Sequence, residues 1–470
     1  MNIYFLGIAG AGMSALASIL AGEGHVVSGS DDGVFPPVTT YLQSLNIPFH
    51  VGWDAAEIPP DLDAAVVGSS AKLDLAHNPE LAELTRRGVP LYSFPAFLAR
   101  HVAGRDTVVV AGSFGKSTIT ALLAVILTEA GGDPGYFIGA VPLDLPTTGA
   151  SGSDPVFVME GDEYIVGGDD RRSKFLLYEP RSLLITSLIH DHVNVFPTLA
   201  DYEAPFAQLI DGLPLDAPLI CAYPFEALHR LTVGRRVVWY GRELCPGYCS
   251  ENLQIGEISR FVLVTPAGAH IPLETELLGL HNIENIVGAS ALLLERGDVT
   301  VEALQRGVRR FRGVARRLDK RTTASTVPAY EGFGSSYEKA RSAIEAILLH
   351  FPRRPCVVVF EPHTFSWRDP AALAWYDTVF DGVARVLLLP PPDHGAGPAQ
   401  SSQRDIAGRI ARAGISVTAL AGVDTVLQNL EVTLAGDEVI LLLSSGPLDG
   451  LPASLPPALE AAFPPPSSAR

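Results

Sequence analysis

Short unbroken apolar runs alternate along this chain with stretches whose apolar positions recur every three or four residues. The first pattern fits strands buried on both faces, and the second fits helices with one buried face. Asn2–Gly7 is predicted as a strand, Met13–Gly22 as a helix of small residues, and His25–Gly29 as a second strand running into Ser30-Asp31. Helix Val38–Leu45, strand Ala64–Gly68, helix Pro79–Arg87, short strand Val89–Ser93 and helix Phe94–His101 follow. Strands and helices in this alternation predict a parallel sheet with right-handed crossovers.

After Ala103-Gly104-Arg105 the alternation restarts with strand Thr107–Ala111, the turn Gly112–Gly115 and a helix from Lys116 to about Ala130. Strands Val156–Met159 and Ser182–Ser187 come later, each ending in polar residues, and Leu215–Leu278 is β-rich and less regular. Helix His281–Arg296 is apolar at helical spacing and poor in charge, so it is expected to be buried; Val301–Phe311 is one more helix, and Arg312-Gly313-Val314 reads as a linker. A third round takes in helix Tyr337–Phe351, strand Cys356–Phe360, helix Pro370–Tyr376, strand Val386–Leu389, helix Gln403–Ala413, strand Ser416–Ala419, helix Thr425–Leu430 and strand Glu438–Leu443. The tail from Pro452 is rich in Pro, Ala and Ser and is expected to fray. The fold class is therefore α/β, with three domains at 1–104, 105–312 and 313–470.

Composition narrows the function classes. At 470 residues and 47% apolar side chains, the chain exceeds one core and holds enough material for several. Its formal charge of −18, from 52 acids against 34 bases, argues against a general nucleic-acid binder, which needs a basic face to displace counterions. A local phosphate site stays open, because backbone N–H groups and one lysine can supply the potential. Four cysteines make no disulfide framework, and the C-x3-C pair Cys245 and Cys249 has no second Cys/His pair at zinc-ribbon distance, so a reduced, cytoplasmic chain is expected. Residues 2–22 carry no charged side chain, but they lack a Lys or Arg n-region and hold Gly7, Gly10 and Gly12. They read as a strand, a glycine turn and a buried helix rather than a signal or membrane segment. No other stretch approaches the roughly 18 apolar residues of a membrane span, so no membrane partner is expected.

The strongest local signal is Ala111-Gly112-Ser113-Phe114-Gly115-Lys116-Ser117-Thr118, directly after a predicted strand and before a predicted helix. Glycines let backbone wrap a phosphate, the helix start aims N–H groups at it, Lys116 can neutralise the β/γ charge, and Ser117 can hold Mg²⁺. Val110 stands where the full P-loop pattern has its first glycine, so this is a shorter variant; the competing reading is a chance Gly-rich turn. Glu160, in Glu160-Gly161-Asp162-Glu163-Tyr164, ends a strand whose carboxyl edge is shared with the phosphate loop in a parallel sheet, and a carboxylate there can bind Mg²⁺. His190-Asp191-His192 follows another strand end, although acids at strand ends are often solvated caps and a lone His is usually structural. At the N-terminus, Gly7-Ile8-Ala9-Gly10-Ala11-Gly12 is G-x-x-G-x-G and not the dinucleotide order G-x-G-x-x-G, while Asp31 sits about where a ribose-binding acid would be. A nucleotide or pyrophosphate suits that helix start better than a nicotinamide does, and close helix–strand packing is the alternative use of the glycines.

Taken in order, these motifs resemble the Mur ligase family, closest to its murein peptide ligase branch and next to the UDP-N-acetylmuramate–alanine ligases. Gly7–Met13 with Ser14 is similar to that group's UDP-binding opening, and Gly29-Ser30-Asp31 with Phe35-Pro36-Pro37 to the loop that follows. Gly112–Thr118 resembles the ATP loop G-T-H-G-K-T-T, Glu160–Tyr164 resembles E-A-D-E-Y, and Arg172-Ser173-Lys174-Phe175 and Asp191-His192 also match the branch. Gly279-Leu280-His281-Asn282-Ile283-Glu284-Asn285 resembles the adenine-side G-x-H-N-x-x-N, and Glu361-Pro362 and Ser444-Ser445-Gly446 look like worn copies of C-terminal motifs.

The resemblance implies a Rossmann-like N-terminal domain, a central P-loop ATPase-like domain and a C-terminal Rossmann-like domain that closes over the site. It implies an ATP- and Mg²⁺-dependent ligase that activates a carboxylate as an acyl-phosphate for attack by an amine, with UDP-N-acetylmuramate as donor and a murein peptide as acceptor. Lys116 would meet the γ-phosphate within the ATP loop Gly112, Ser113, Phe114, Gly115, Ser117 and Thr118, with His281, Asn282 and Asn285 at the adenine. Ser117 and Glu160 would hold Mg²⁺, with His192 on a second ion; Lys116, Glu160 and His192 are thus the catalytic set. Gly7, Gly10, Ala11, Gly12, Met13, Ser14, Ser30 and Asp31 would line the UDP-sugar site, and Arg316, Arg317, Glu331, Ser335, Ser336 and His363 the acceptor side. The partners implied are small molecules, with no nucleic acid or membrane, in a monomer or weak homodimer.

Departures concentrate on that acceptor side. Phe114 replaces the usual ATP-loop histidine. Glu331-Gly332-Phe333-Gly334-Ser335-Ser336-Tyr337 stands where the branch reads D-D-F-A-H-H-P, His363 stands at a common arginine, and Ser444-Ser445-Gly446-Pro447 replaces S-N-G-G. A ligase of the same chemistry with another acceptor or donor is the second reading, and a non-catalytic UDP-sugar or ATP-binding homologue is the third. A nicotinamide dehydrogenase is a distant fourth.

Overall fold

A computed structural model of the chain describes residues 1–33, 38–69, 73–167, 170–243, 245–392 and 400–465, so the Phe35-Pro36-Pro37 motif lies outside the described residues. The chain forms two compact units: one holds Met1–Leu253, Arg260–Thr275 and His281–Val314, and the other holds Gln254–Ser259, Glu276–Leu280 and the chain from Ala315.

The first unit opens with an all-parallel sheet of β1 (Asn2–Leu6), β2 (Val26–Asp31), β3 (Phe49–Val51), β4 (Ala64–Val67) and β5 (Leu91–Ser93), in the order β3-β2-β1-β4-β5. Successive connections leave β1 in opposite directions, which opens a crevice at the carboxyl edge between β1 and β4. The glycine turn and α1 (Ala11–Gly22) start there, and α2 (Val38–Ser44), α3 (Pro79–Arg86) and α4 (Phe94–His101) complete the layer.

The chain continues through β6 (Asp106–Ala111), α5 (Lys116–Glu129), β7 (Gly135–Phe137), β8 (Gly149–Ala150), β9 (Val156–Glu160) and the hairpin β10 (Ile165–Gly167) with β11 (Asp170–Ser173). It then forms β12 (Ser182–Ile185), α6 (Leu199–Gly212), β13 (Leu219–Ala222), α7 (Glu226–Leu231) and β14 (Val238–Tyr240). The second sheet has the order β14-β13-β12-β6-β9-β7-β8, so β6 lies centrally and the carboxyl ends of β6, β9 and β12 share one edge. A small sheet of β15 (Cys249–Gln254), β16 (Ser259–Val264) and β17 (His270–Thr275) precedes α8 (Leu280–Arg296) and α9 (Val301–Arg310). Every residue of α5 from Ser117 to Leu127 is buried, so it is a core helix with no polar face. Hydrogen bonds tie the two sheets of this unit: Tyr41 Oη accepts from both the backbone N–H and the hydroxyl of Thr148 at 2.9 Å, and Ser18 Oγ donates to the Gly149 carbonyl at 2.8 Å.

The second unit is a six-stranded sheet of β18 (Arg317–Lys320), β19 (Ala329–Phe333), β20 (Cys356–Phe360), β21 (Arg385–Leu388), β22 (Ser416–Ala419) and β23 (Val439–Ser444), ordered β18-β19-β23-β20-β21-β22. Only the edge strand β18 runs antiparallel. Its helices are α10 (Tyr337–His350), α11 (Phe365–Arg368), α12 (Gln403–Arg412), α13 (Val423–Thr433) and α14 (Leu451–Ala462). The helix expected at Pro370–Tyr376 is a 3₁₀ stretch, Pro370–Asp377, started by Asp369 capping Ala371 N–H at 2.9 Å.

The expectation that the tail frays from Pro452 is wrong. Leu451, Leu455 and Leu459 recur at i, i+4 and i+8 and are buried against Val426, Leu430 and Leu448, and that burial outweighs the helix-breaking composition. Pro452 sits in the first turn, where a missing N–H costs nothing. Helix α6 is not among the elements expected from the sequence. Thr198 and Asp201 form a reciprocal capping box at its start, and Pro205 within the first two turns disguises the helical pattern.

His350, at the end of α10, explains why two distant segments join the second unit. Its Nε2 accepts from Gly279 N–H at 2.8 Å, and its Nδ1–H donates to the Gly256 carbonyl at 2.6 Å. Accepting at Nε2 needs the neutral ring, and burial holds the imidazole below its ordinary pKa although the bond to Gly256 works the other way. Folded His350 binds a proton less readily than unfolded His350, so its contribution is full above the unfolded value of about 6.5 and is lost as pH falls from there toward the lowered folded value. Thermal melts should therefore show a midpoint falling between pH 7.5 and 5.5, with a smaller fall in His350→Gln; equal slopes would contradict this role.

Candidate active site

Two glycines build the candidate phosphate loop. Gly112 and Gly115 take φ of 128° and 82°, outside the region that side chains favour. A Cβ on Gly115 would lie 2.6 Å from Asn285 Oδ1, and one on Gly112 would collide with Thr186 Oγ1 and the Ser187 backbone. Side chains from the turn after β12 lock the loop: Phe114 N–H donates to Ser187 Oγ at 3.0 Å, Thr186 Oγ1 donates to the Phe114 carbonyl, and Ser113 Oγ donates to the Ile189 carbonyl at 2.7 Å. Asn285 donates to Asn282 Oδ1 at 3.0 Å, so α8 brings the Asn282/Asn285 pair against the loop. Gly115→Ala should cost about 1–3 kcal/mol of strain and displace Asn285. Calorimetric titration should show weaker ATP binding, and unchanged affinity would remove Asn285 from the site.

Lys116 Nζ lies over the loop, 2.6 Å from the Gly112 carbonyl and 2.9 Å from Glu163 Oε2. Glu163 is fully buried and is also met by His192 Nε2 at 3.4 Å and Tyr202 Oη at 3.4 Å. The bond to Glu163 is the main cause of a raised His192 pKa, and burial raises that of Tyr202. His192 holds φ of 54°, a costly conformation for a side-chain-bearing residue and a mark of a tightly constrained turn. At the end of β9, Glu160 Oε2 accepts Gly139 N–H at 2.8 Å.

A cavity of about 600 Å³ joins this loop to the N-terminal glycine turn. Gly7, Gly10, Ala11, Gly12, Met13 and Asp31 line one end, and Lys116, Glu160, Asp162, Lys174 and Tyr178 line the other. Asp31 Oδ2 accepts Ala9 N–H at 2.9 Å, so this acid braces the glycine turn while burial raises its pKa. Ser14 and Ser30 stand behind the lining. Ser14 Oγ donates to the Ala11 carbonyl at 3.1 Å, and Ser30 Oγ donates to Glu80, a fully buried acid that also takes bonds from Tyr4, His50 and Asp54 N–H. Glu80 escaped the sequence reading because a helix glutamate gives no signal of its burial.

Ser117 is buried in the first turn of α5 and Glu160 faces the cavity, but among the described residues no cluster of three His, Cys, Asp or Glu is arranged to hold a metal. That donor set fits an ion arriving with a nucleotide, because Mg²⁺ takes one or two protein oxygens and fills its shell with phosphate oxygens and water.

In the second unit, the ends of β19, β23 and β20 carry a separate cluster. Ser444 Oγ donates to Glu361 Oε2 at 2.7 Å, His363 Nδ1 lies 3.5 Å from the same oxygen, and Arg316 donates to the Gly446 carbonyl at 2.7 Å and lies 3.2 Å from Glu331. Burial raises the pKa of Glu331. Ser335 and Ser336, where the resemblance expects histidines, do structural work: Ser336 caps α10, and the Ser335 carbonyl accepts Thr364 Oγ1 at 2.9 Å. Arg317 is exposed on β18. Of the acceptor-side residues, Arg316, Glu331 and His363 come together with Glu361.

A glycine loop at a strand-to-helix turn and a glycine-turn crevice open on one cavity in a unit built on two mainly parallel sheets, the arrangement of an α/β nucleotide-binding enzyme. Residues 2–106 match the Mur ligase family catalytic domain and residues 110–293 the Mur ligase middle domain. A UDP-N-acetylmuramate–L-alanine ligase of Nocardioides is 32% identical over 78% of this chain and 75% of its own length. The UDP-N-acetylmuramate–alanine ligase of Thermotoga maritima superposes with a TM-score of 0.77 at 20% identity over 95% of this chain and 96% of its own. The UDP-N-acetylmuramate:L-alanyl-γ-D-glutamyl-meso-diaminopimelate ligase of Neisseria is 27% identical over 67% of this chain and 99% of its own, with a TM-score of 0.59. This chain belongs to the Mur ligase family. It is an ATP- and Mg²⁺-dependent ligase joining an acid to an amino acid or peptide.

Proposed function

We propose that the acid is UDP-N-acetylmuramate and that the amine is a murein peptide, as in peptidoglycan recycling. The observation that carries the donor is the continuous cavity: it runs from the glycine turn to Lys116 and Glu160, so a nucleotide sugar seated at Gly10–Met13 would present its acid beside the phosphate loop. UDP-N-acetylmuramate is also the donor named for both the alanine ligases and the murein peptide ligase.

A carboxylate is a poor acylating agent. Its oxygen attacks the γ-phosphorus of ATP, giving an acyl-phosphate and ADP; the amine then adds to the carbonyl, and phosphate leaves from the tetrahedral intermediate. Lys116 neutralises charge on the transferring phosphoryl group, and Gly112–Thr118 cradle the nucleotide with Asn282 and Asn285 at its base side. Mg²⁺, held by Ser117 and Glu160, would supply Lewis-acid stabilisation of the phosphate oxygens. Glu163 fixes Lys116 and His192 from behind. The three segments 1–104, 105–312 and 313–470 would bind donor, ATP and acceptor in turn, in a cytoplasmic monomer or weak dimer. No helix among the described residues is long and apolar enough to cross a membrane.

The replaced acceptor residues favour a second reading, in which the amine differs from the murein tripeptide. Ser336 already caps α10, and Arg316 is held by carbonyls and Glu331, which leaves a more acidic edge than one built to hold a carboxylate. ADP release with Mg·ATP and UDP-N-acetylmuramate should depend on the L-alanyl-γ-D-glutamyl-meso-diaminopimelate tripeptide. Dependence on L-alanine or another amine alone would replace this acceptor.

A further inference from the structure

Tyr178 follows a short 3₁₀ turn, Lys174–Leu177, and is 2% exposed as a residue, with a buried hydroxyl that has no hydrogen-bond partner among the described residues. An orphaned buried hydroxyl costs stability, so a position that keeps one calls for a partner from outside the chain. Tyr178 lines the reactive end of the cavity. So does Lys174, whose Nζ is 2.6 Å from Asp162 Oδ2 and 5.5 Å from the centre of the Tyr164 ring. The pairing outweighs the burial of Asp162 and holds its carboxyl below the usual range. Lys116 and Lys174 are the cations among the lining residues. Lys116 is committed to the phosphate loop, which leaves Lys174 for another anion.

We propose that Lys174 Nζ and Tyr178 Oη bind the carboxylate of the acid substrate, and so make this cavity select an acidic nucleotide sugar over a neutral one. The proposal rests on the reading that the cavity takes a UDP-sugar acid. The two groups line the same cavity as Glu160 and Lys116, so a carboxylate held by them shares that cavity with the loop lysine. Both are donors, as an ionised carboxylate requires, and a charge-assisted pair of this kind fixes orientation as well as charge. Asp162 keeps Lys174 extended into the cavity until the substrate shares it.

Calorimetric titration of UDP-N-acetylmuramate and of UDP-N-acetylglucosamine, which lacks the acid, into the full chain tests this directly. The wild type should prefer the acid. Tyr178→Phe should weaken UDP-N-acetylmuramate roughly tenfold and Lys174→Met up to about a hundredfold, the scale of hydrogen bonds to a charged group, with little change for the neutral sugar. Tyr178→Phe should also melt no lower than wild type, since it removes an unsatisfied hydroxyl. Lys174→Met strands Asp162, so the double change Lys174→Met with Asp162→Asn serves as the folding control and should still lack the preference. A wild type that binds neither nucleotide sugar overturns the donor reading itself. A wild type that binds the acid, with variants that bind it equally well, overturns the carboxylate cradle and leaves the donor reading standing.

Discussion

Lys116→Ala is expected to lower ATP turnover by at least about a thousandfold, the largest effect of any single substitution in this chain. The lysine lies over the Gly112–Gly115 loop, held there by the Gly112 carbonyl and Glu163. Removing it takes away charge stabilisation of the transferring phosphoryl group and leaves Glu163 buried with His192 and Tyr202 alone. Part of any loss is therefore structural, because breaking one side of a buried pair destabilises by about 3–5 kcal/mol. Lys116→Ala with Glu163→Gln separates the two effects: its melting temperature should recover while ADP release stays absent. A normal rate in Lys116→Ala would remove this loop from the chemistry.

The second large effect is expected at Glu160. Glu160→Gln keeps the size of the side chain and the acceptor for Gly139 N–H, but lacks the charge that a hard cation requires. ADP release at saturating ATP should fall by roughly a hundredfold or more, with a higher Mg²⁺ concentration needed for half the maximal rate. Retained turnover with an unshifted Mg²⁺ dependence would assign Glu160 to bracing the Gly139 turn instead.

Much of the scaffold was legible in the chain. The buried strands β6, β20 and β23 read as unbroken apolar runs because parallel strands are covered on both faces. The turn Gly112–Gly115 was legible for a different reason: Gly112 and Gly115 sit where geometry excludes other residues, so the backbone demand is written directly into the sequence. What stayed hidden depends on long-range meetings. Nothing local to Asn285 says that it lies over Gly115, nothing in Glu80 announces four donors around a buried acid, and Tyr178 reads as an ordinary core aromatic until its hydroxyl is seen without a partner among the described residues. Two helices were obscured by proline. In α6 the Thr198–Asp201 capping box was the overlooked signal, and in α14 it was the four-residue spacing of Leu451, Leu455 and Leu459. The acceptor-side histidines expected from resemblance are absent for a visible reason at one position, since Ser336 spends its hydroxyl on the first turn of α10.

The central claim is that a carboxylate is activated by the γ-phosphate of ATP and then taken by an amine. Its most direct test is UDP-N-acetylmuramate labelled with ¹⁸O in the carboxylate, incubated with Mg·ATP and the accepting amine, followed by mass analysis of the released phosphate. The acyl-phosphate route predicts one ¹⁸O atom in each phosphate, carried from the acid when the amine displaces it. Phosphate released without the label would contradict the route and reduce the reaction to hydrolysis of ATP.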